Sequence, residues 1–135
     1  MNPSSPALVC DLSTLTDDQR IRLVAVSAEV FGTASEVREL PNGFALAYHD
    51  ASAELISKVA EFIAYDRLCC AFLEHAMVSE AAGGPTWLYI SGGQGAKEVI
   101  ADDLRRLISP QAIVTIRSFV RPLQRERVQE AEVPR

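Results

Sequence analysis

The sequence predicts an α+β fold, a helix followed by two ββα units, with the helices packed on a mainly antiparallel sheet. Three observations carry this prediction. Three segments place apolar residues at helical spacing, and two pairs of short alternating runs lie between them. Each pair of runs is joined by a turn too short for the crossover that parallel strands need. The apolar content, 48% of 135 residues, suits one globular core of single-domain length. The expected organisation is a flexible N-terminus over 1–7, a domain over 8–120 and a flexible or partly helical charged tail over 121–135.

The first helix opens at Thr16, which with Gln19 three residues on forms a capping box. Asp17 and Asp18 occupy the first turn, where the helix dipole favours acids. Ile21, Val24, Ala25 and Ala28 are its expected buried stripe, and it should stop near Phe31-Gly32. Runs over 36–40 and 44–49 follow, joined by Pro41-Asn42-Gly43, where Asn-Gly is expected to supply the positive φ of a tight hairpin. Phe44, Leu46 and Tyr48 share one face of the second run; Ala45, Ala47 and His49 share the other.

The second helix is capped by Asp50 or Ser52 and carries Leu55, Ile56, Val59, Phe62 and Ile63, with Cys69-Cys70 at its far end. The pattern then repeats. Runs over 72–79 and 86–91 are joined by Ala82-Gly83-Gly84-Pro85, and a third helix over 96–108 is marked by Val99, Ile100, Asp103, Leu104 and Leu107. Residues 112–120 are β-branched enough for a last strand, and that run or a sheet edge is the expected seam of a homodimer.

Composition narrows the function classes. Eighteen acidic against 13 basic side chains give a net charge of −5 with no basic cluster, which argues against a nucleic-acid partner. No apolar run approaches the ~20 residues that span a bilayer. Three cysteines do not make a disulfide framework, and the first residues lack the basic region and apolar stretch of a signal peptide. A cytoplasmic chain with reduced thiols is the expectation.

The least ordinary stretch is Asp66-Arg67-Leu68-Cys69-Cys70-Ala71-Phe72. Adjacent cysteines rarely bridge each other, because the small ring distorts the peptide bond, so two free thiols are expected. Neighbours on a regular helix point about 100° apart and grip one ion only across a local break. The change from helical to alternating periodicity near Ala71 supplies that break. Thiolates favour soft metal ions, and His75, five residues beyond Cys70, is the candidate third ligand. Cys10, 59 positions before Cys69, is read as incidental. A helix C-terminus and Asp66 both disfavour thiolate, so neither cysteine should be a strongly activated nucleophile. The alternative duty is packing: cysteine is a small hydrophobe, and the pair before Phe72 can fill a corner of the core.

Trp87 and Tyr89 share a strand face, and with Tyr48 on the other hairpin they form a candidate small-ligand pocket; plain aromatic packing is the competing reading. The segment Ser91-Gly92-Gly93-Gln94-Gly95-Ala96-Lys97 lacks the spacing of a dinucleotide or P-loop motif and reads as a strand–turn–helix connection. Asp17-Asp18 and Asp102-Asp103 read as solvated helix positions, and no catalytic triad, HExxH or paired-carboxylate motif is present.

Asp66-Arg67-x-Cys69-Cys70-x-Phe72, then Gly84-Pro85-x-Trp87-Leu88, then Gly92-x-x-Gly95-x-Lys97-Glu98, resembles a group of small bacterial proteins of no established activity. Their signature is Glu-Arg-x-Cys-Cys-Pro-Phe, Gly-Pro-x-Trp-Leu and Gly-Pro-Glu-Gly-x-Lys-Glu. The match spans about residues 62–100, and this chain departs from it at Asp66, Ala71 and Gly93-Gln94. The resemblance implies a role for the thiol pair beyond packing, in association with metal stress. Two functions follow: first a non-enzymatic small-ligand binding or interaction module lined by the sheet aromatics, then a soft-metal-binding or thiol-redox protein using Cys69 and Cys70. The lack of a catalytic constellation weighs against an enzyme.

Overall fold

The computed structural model describes residues 10–115. Expectations for 1–7, for 116–120 of the last strand and for 121–135 lie outside the described residues. A short 3-10 turn, Leu12–Thr14, leads into helix α1 (Asp17–Gly32). Strands β1 (Glu36–Leu40) and β2 (Gly43–Tyr48), helix α2 (Ala53–Cys69), strands β3 (Leu73–Ser79) and β4 (Thr86–Gly92), helix α3 (Ala96–Leu107) and strand β5 (Ile113–Thr115) complete it. The predicted α+β order is therefore the observed one.

Local chemistry explains the boundaries. The Thr16 capping box forms in both directions, with the Gln19 amide donating to Thr16 Oγ1 at 3.1 Å and the Thr16 amide to Gln19 Oε1 at 2.9 Å. Of the two candidates for α2, Ser52 is the cap and accepts from the Leu55 amide at 3.0 Å. The first hairpin pairs Leu40 with Gly43, so the two-residue turn is Pro41-Asn42. Neither Asn42 nor Gly43 has a positive φ. Glycine is required at 43 for a different reason: a Cβ there would lie 2.0 Å from the Ile90 carbonyl oxygen of the neighbouring strand.

The sheet order is β3-β4-β2-β1-β5. Three pairings are antiparallel, and β5 returns parallel to β1, aligning Val37 with Val114. One face receives the helices. Phe44, Leu46 and Tyr48 of β2 and Leu88 and Ile90 of β4 pack there with Val26, Val30, Phe62, Ile100 and Leu104. The opposite face holds a smaller cluster of Ala45, Ala47 and Trp87.

Helix α1 corrects the expected stripe. Its buried residues are Leu23, Val26, Val30 and Phe31, whereas Ile21 and Val24 are 67% and 70% exposed. Both sets fit the helical period. The set that won carries the larger side chains and so removes more apolar area from water. Phe31 meets Phe62 edge to face at 5.4 Å, and Arg22 grips Glu61 with two hydrogen bonds, fixing α1 against α2.

Candidate functional site

Helix α2 ends where the vicinal cysteines lie. Cys69 is its last residue, and Cys70 is the cap, whose backbone leaves the helix at φ −111° and ψ 68° while its amide still donates to the Asp66 carbonyl at 2.8 Å. That is the expected local break. It lets both side chains turn the same way, with the two sulfurs 3.6 Å apart.

A helix end leaves carbonyls without intrahelical partners. The N-terminal segment supplies one: the Asp11 amide donates to the Cys69 carbonyl at 2.7 Å. The same approach brings Cys10 against Cys70, to which it is joined by a disulfide. Two expectations are corrected here. Cys10 is not incidental, and Cys70 is not a free thiol; among the described residues only Cys69 is free, and it is buried. The reason is topological. The bridge closes 60 positions of chain, and no local pattern announces that α1 and the first hairpin will return α2 to the start of the chain.

All three sulfurs lie within 4.8 Å of one another. His75 is not among them. Its side chain is only 2% exposed, and its Nε2 is hydrogen-bonded at 2.7 Å to Asp66 Oδ2. The third member of this cluster is Cys10, which the sequence reading sets aside, and His75 stands outside it. Asp66 joins the two groups, because its other oxygen lies 3.6 Å from Cys70 Sγ.

Burial pushes the Cys69 thiol up to about 11, and the nearby Asp66 carboxylate adds to this. A weakly activated thiol agrees with the sequence, although desolvation rather than the helix dipole leads. The three cysteines line a cavity of about 260 Å³. Leu12, Val24, Phe31, Phe62 and Leu107 contribute apolar lining, and Ser27, Asp66, Asp103 and Arg106 contribute polar lining. Burial raises the Asp103 carboxyl above the usual range, against the opposing pull of its ion-pair partner Arg106. The Asp103 side chain stays 41% exposed, as the sequence reading of a solvated helix position expects, while its place between Ile100 and Leu107 on the apolar stripe of the third helix puts it in the cavity lining.

The three aromatic candidates do not come together. Tyr48 faces the helices, buried, and donates its hydroxyl to the Val30 carbonyl at 2.6 Å. Trp87 and Tyr89 stack on each other on the opposite face, 6.1 Å between centroids. There Trp87 Nε1 donates to Glu80 Oε2 at 2.6 Å, and the Arg38 guanidinium covers the indole at 4.9 Å. None of the three lines the thiol cavity. The glycine-rich connection into α3 behaves as a connection: Gly95 takes the left-handed conformation at the cap, and a Cβ on Gly92 would lie 2.6 Å from that of Ala96. No described helix is long and apolar enough to cross a membrane. Comparison with protein-family models, with curated proteins and with solved structures finds no match.

Proposed function

We propose that the reduced protein binds a soft, thiol-seeking metal or metalloid through Cys10, Cys69 and Cys70, and that the Cys10–Cys70 disulfide is the oxidised form of the same site. One observation carries this reading: three sulfurs from two distant parts of the chain converge within 4.8 Å of one another in the lining of a cavity. Polarisable thiolates select soft ions over hard ones. A closed structural zinc site normally uses four ligands, whereas the cluster found among the described residues offers three. Three sulfurs suit a centre content with trigonal coordination.

The competing reading, a binding module lined by Tyr48, Trp87 and Tyr89, is less well supported, because these residues are divided between the two sheet faces. Arsenous acid is a direct probe. Three thiols and As(OH)₃ give As(S)₃ and three waters, with arsenic remaining trivalent. Anaerobically reduced protein should take up one equivalent and lose the reactivity of all three thiols toward a chromogenic disulfide. Cys10→Ser removes one bond to the centre and should lower the affinity by more than the roughly tenfold that loss of a mere outer-shell partner costs. Full thiol reactivity in excess arsenous acid, or unchanged affinity in Cys10→Ser, would sink the reading.

A further inference from the structure

We infer that the ligand is an organic derivative of such a soft centre, carrying a small apolar group that occupies the cavity above the sulfurs. The inference rests on the thiol cluster of that reading and adds the chemical class of the ligand: the carbon takes one of the three positions of the trigonal centre, so two of the three sulfurs hold it. A bare ion needs only the sulfurs. Here the sulfurs line a space of about 260 Å³, larger than the ~150 Å³ that accepts a benzene molecule in an engineered protein cavity. The rest of its lining is mostly apolar, with Ser27, Asp66, Asp103 and Arg106 as its polar members, which is the ordinary make-up of a site for a small organic molecule.

A second observation points the same way. Six large apolar side chains stand exposed among the described residues, and two of them, Leu12 at 47% and Val24 at 70%, line this one cavity. Val24 belongs to the stripe of α1 that helix packing leaves uncovered. Leu12 belongs to the turn that follows Cys10, and its carbonyl is held by Arg20 Nη1 at 3.1 Å. Both side chains are thus placed beside the sulfurs by contacts that do not bury them. An aryl or short alkyl group bonded to the soft centre would cover them, with Asp103 and Arg106 in the same lining.

The test compares two monosubstituted trivalent arsenicals, phenyl and methyl, that use the same chemistry. Each R–As(OH)₂ condenses with two thiols to R–As(S)₂ and two waters, with no change of oxidation state and the carbon–arsenic bond intact. Competition against dithiothreitol then removes the intrinsic preference of a dithiol. Burial of about 60 Å² of ring corresponds to about tenfold in affinity at the usual area coefficient, so the reduced protein should prefer phenyl over methyl by about tenfold beyond dithiothreitol. Val24→Asp should bring that preference down to the dithiothreitol value. Ile21→Asp, a charge on an exposed residue outside the cavity lining, should keep it. Both arsenicals bound with a ratio equal to that of dithiothreitol, or a preference indifferent to Val24→Asp, would overturn the inference and leave the three-thiol reading intact. Failure of both organic forms to bind where arsenous acid binds would likewise overturn only the inference, whereas failure of arsenous acid sinks the three-thiol reading itself.

Discussion

Replacing Cys10 by serine separates the covalent role of this residue from its packing. Cys10 is exposed, so the substitution removes little buried surface. What it removes is a cross-link closing a sequence separation of 60. In the chain-entropy treatment a loop of that length withholds about 14 cal/mol/K from the unfolded state, or about 4 kcal/mol at 25 °C. The folded segment keeps its other anchors, the Asp11 amide on the Cys69 carbonyl and Arg20 on the Leu12 carbonyl. The cost therefore falls mainly on the unfolded ensemble. Urea unfolding should place oxidised wild type about 4 kcal/mol above both reduced wild type and Cys10→Ser, a midpoint shift of about 2 M for a protein of this size. The two unbridged forms should agree to within about 1 kcal/mol. Midpoints unmoved by either reduction or substitution would refute the loop argument. A reduced chain without cooperative unfolding would refute more, because the three thiols would then have no folded scaffold to present them.

Three further outcomes follow from single groups. Alkylation of Cys69 in the oxidised protein should be slow at pH 8 and still accelerating at pH 10, since a thiol held at about 11 carries on the order of a hundredfold less thiolate than an unshifted one. A rate plateau by pH 9 would contradict that. The folded state holds this proton more tightly than the unfolded state, so the linked stability is intact below about pH 9 and is lost as pH rises through about 11. Tyr48→Phe strands the Val30 carbonyl near the end of α1 and should cost about 1–3 kcal/mol in urea unfolding; a change below about 0.5 would mean that the carbonyl finds another partner. Gly43→Ala forces a Cβ onto the Ile90 carbonyl and should cost more than about 3 kcal/mol, while Gly93→Ala, with open space around it, should stay within about 0.5 kcal/mol of wild type.

Elements whose signals are local were legible in the sequence. The Thr16 box, the Ser52 cap and the short hairpin turns each involve residues within a few positions of one another, so caps and strand pairs appear where the pattern put them. The choice of face in α1 was not legible, because two stripes share the period and only the packed sheet and α2 decide between them. In the sequence Gly43 reads as turn chemistry, whereas the fold requires it through contact with β4, a partner 47 positions away. The strand order, with β5 parallel beside β1, is likewise set by long-range packing.

The thiol site shows the same division within a few ångströms. The vicinal pair and the break between its members were local facts, and they were readable. The third sulfur was not, yet the reason for its arrival is elementary. A helix C-terminus exposes carbonyls that need donors, and the chain just after Cys10 supplies one to Cys69. The end of α2, which by its dipole and by Asp66 disfavours thiolate, is therefore also the feature that draws Cys10 to the pair. His75 stands outside the sulfur cluster, with its Nε2 on Asp66 Oδ2 at 2.7 Å and the other oxygen of that carboxylate 3.6 Å from Cys70 Sγ. The third sulfur of this cluster thus comes from the segment that satisfies the last carbonyls of α2, and not from the nearest histidine in sequence.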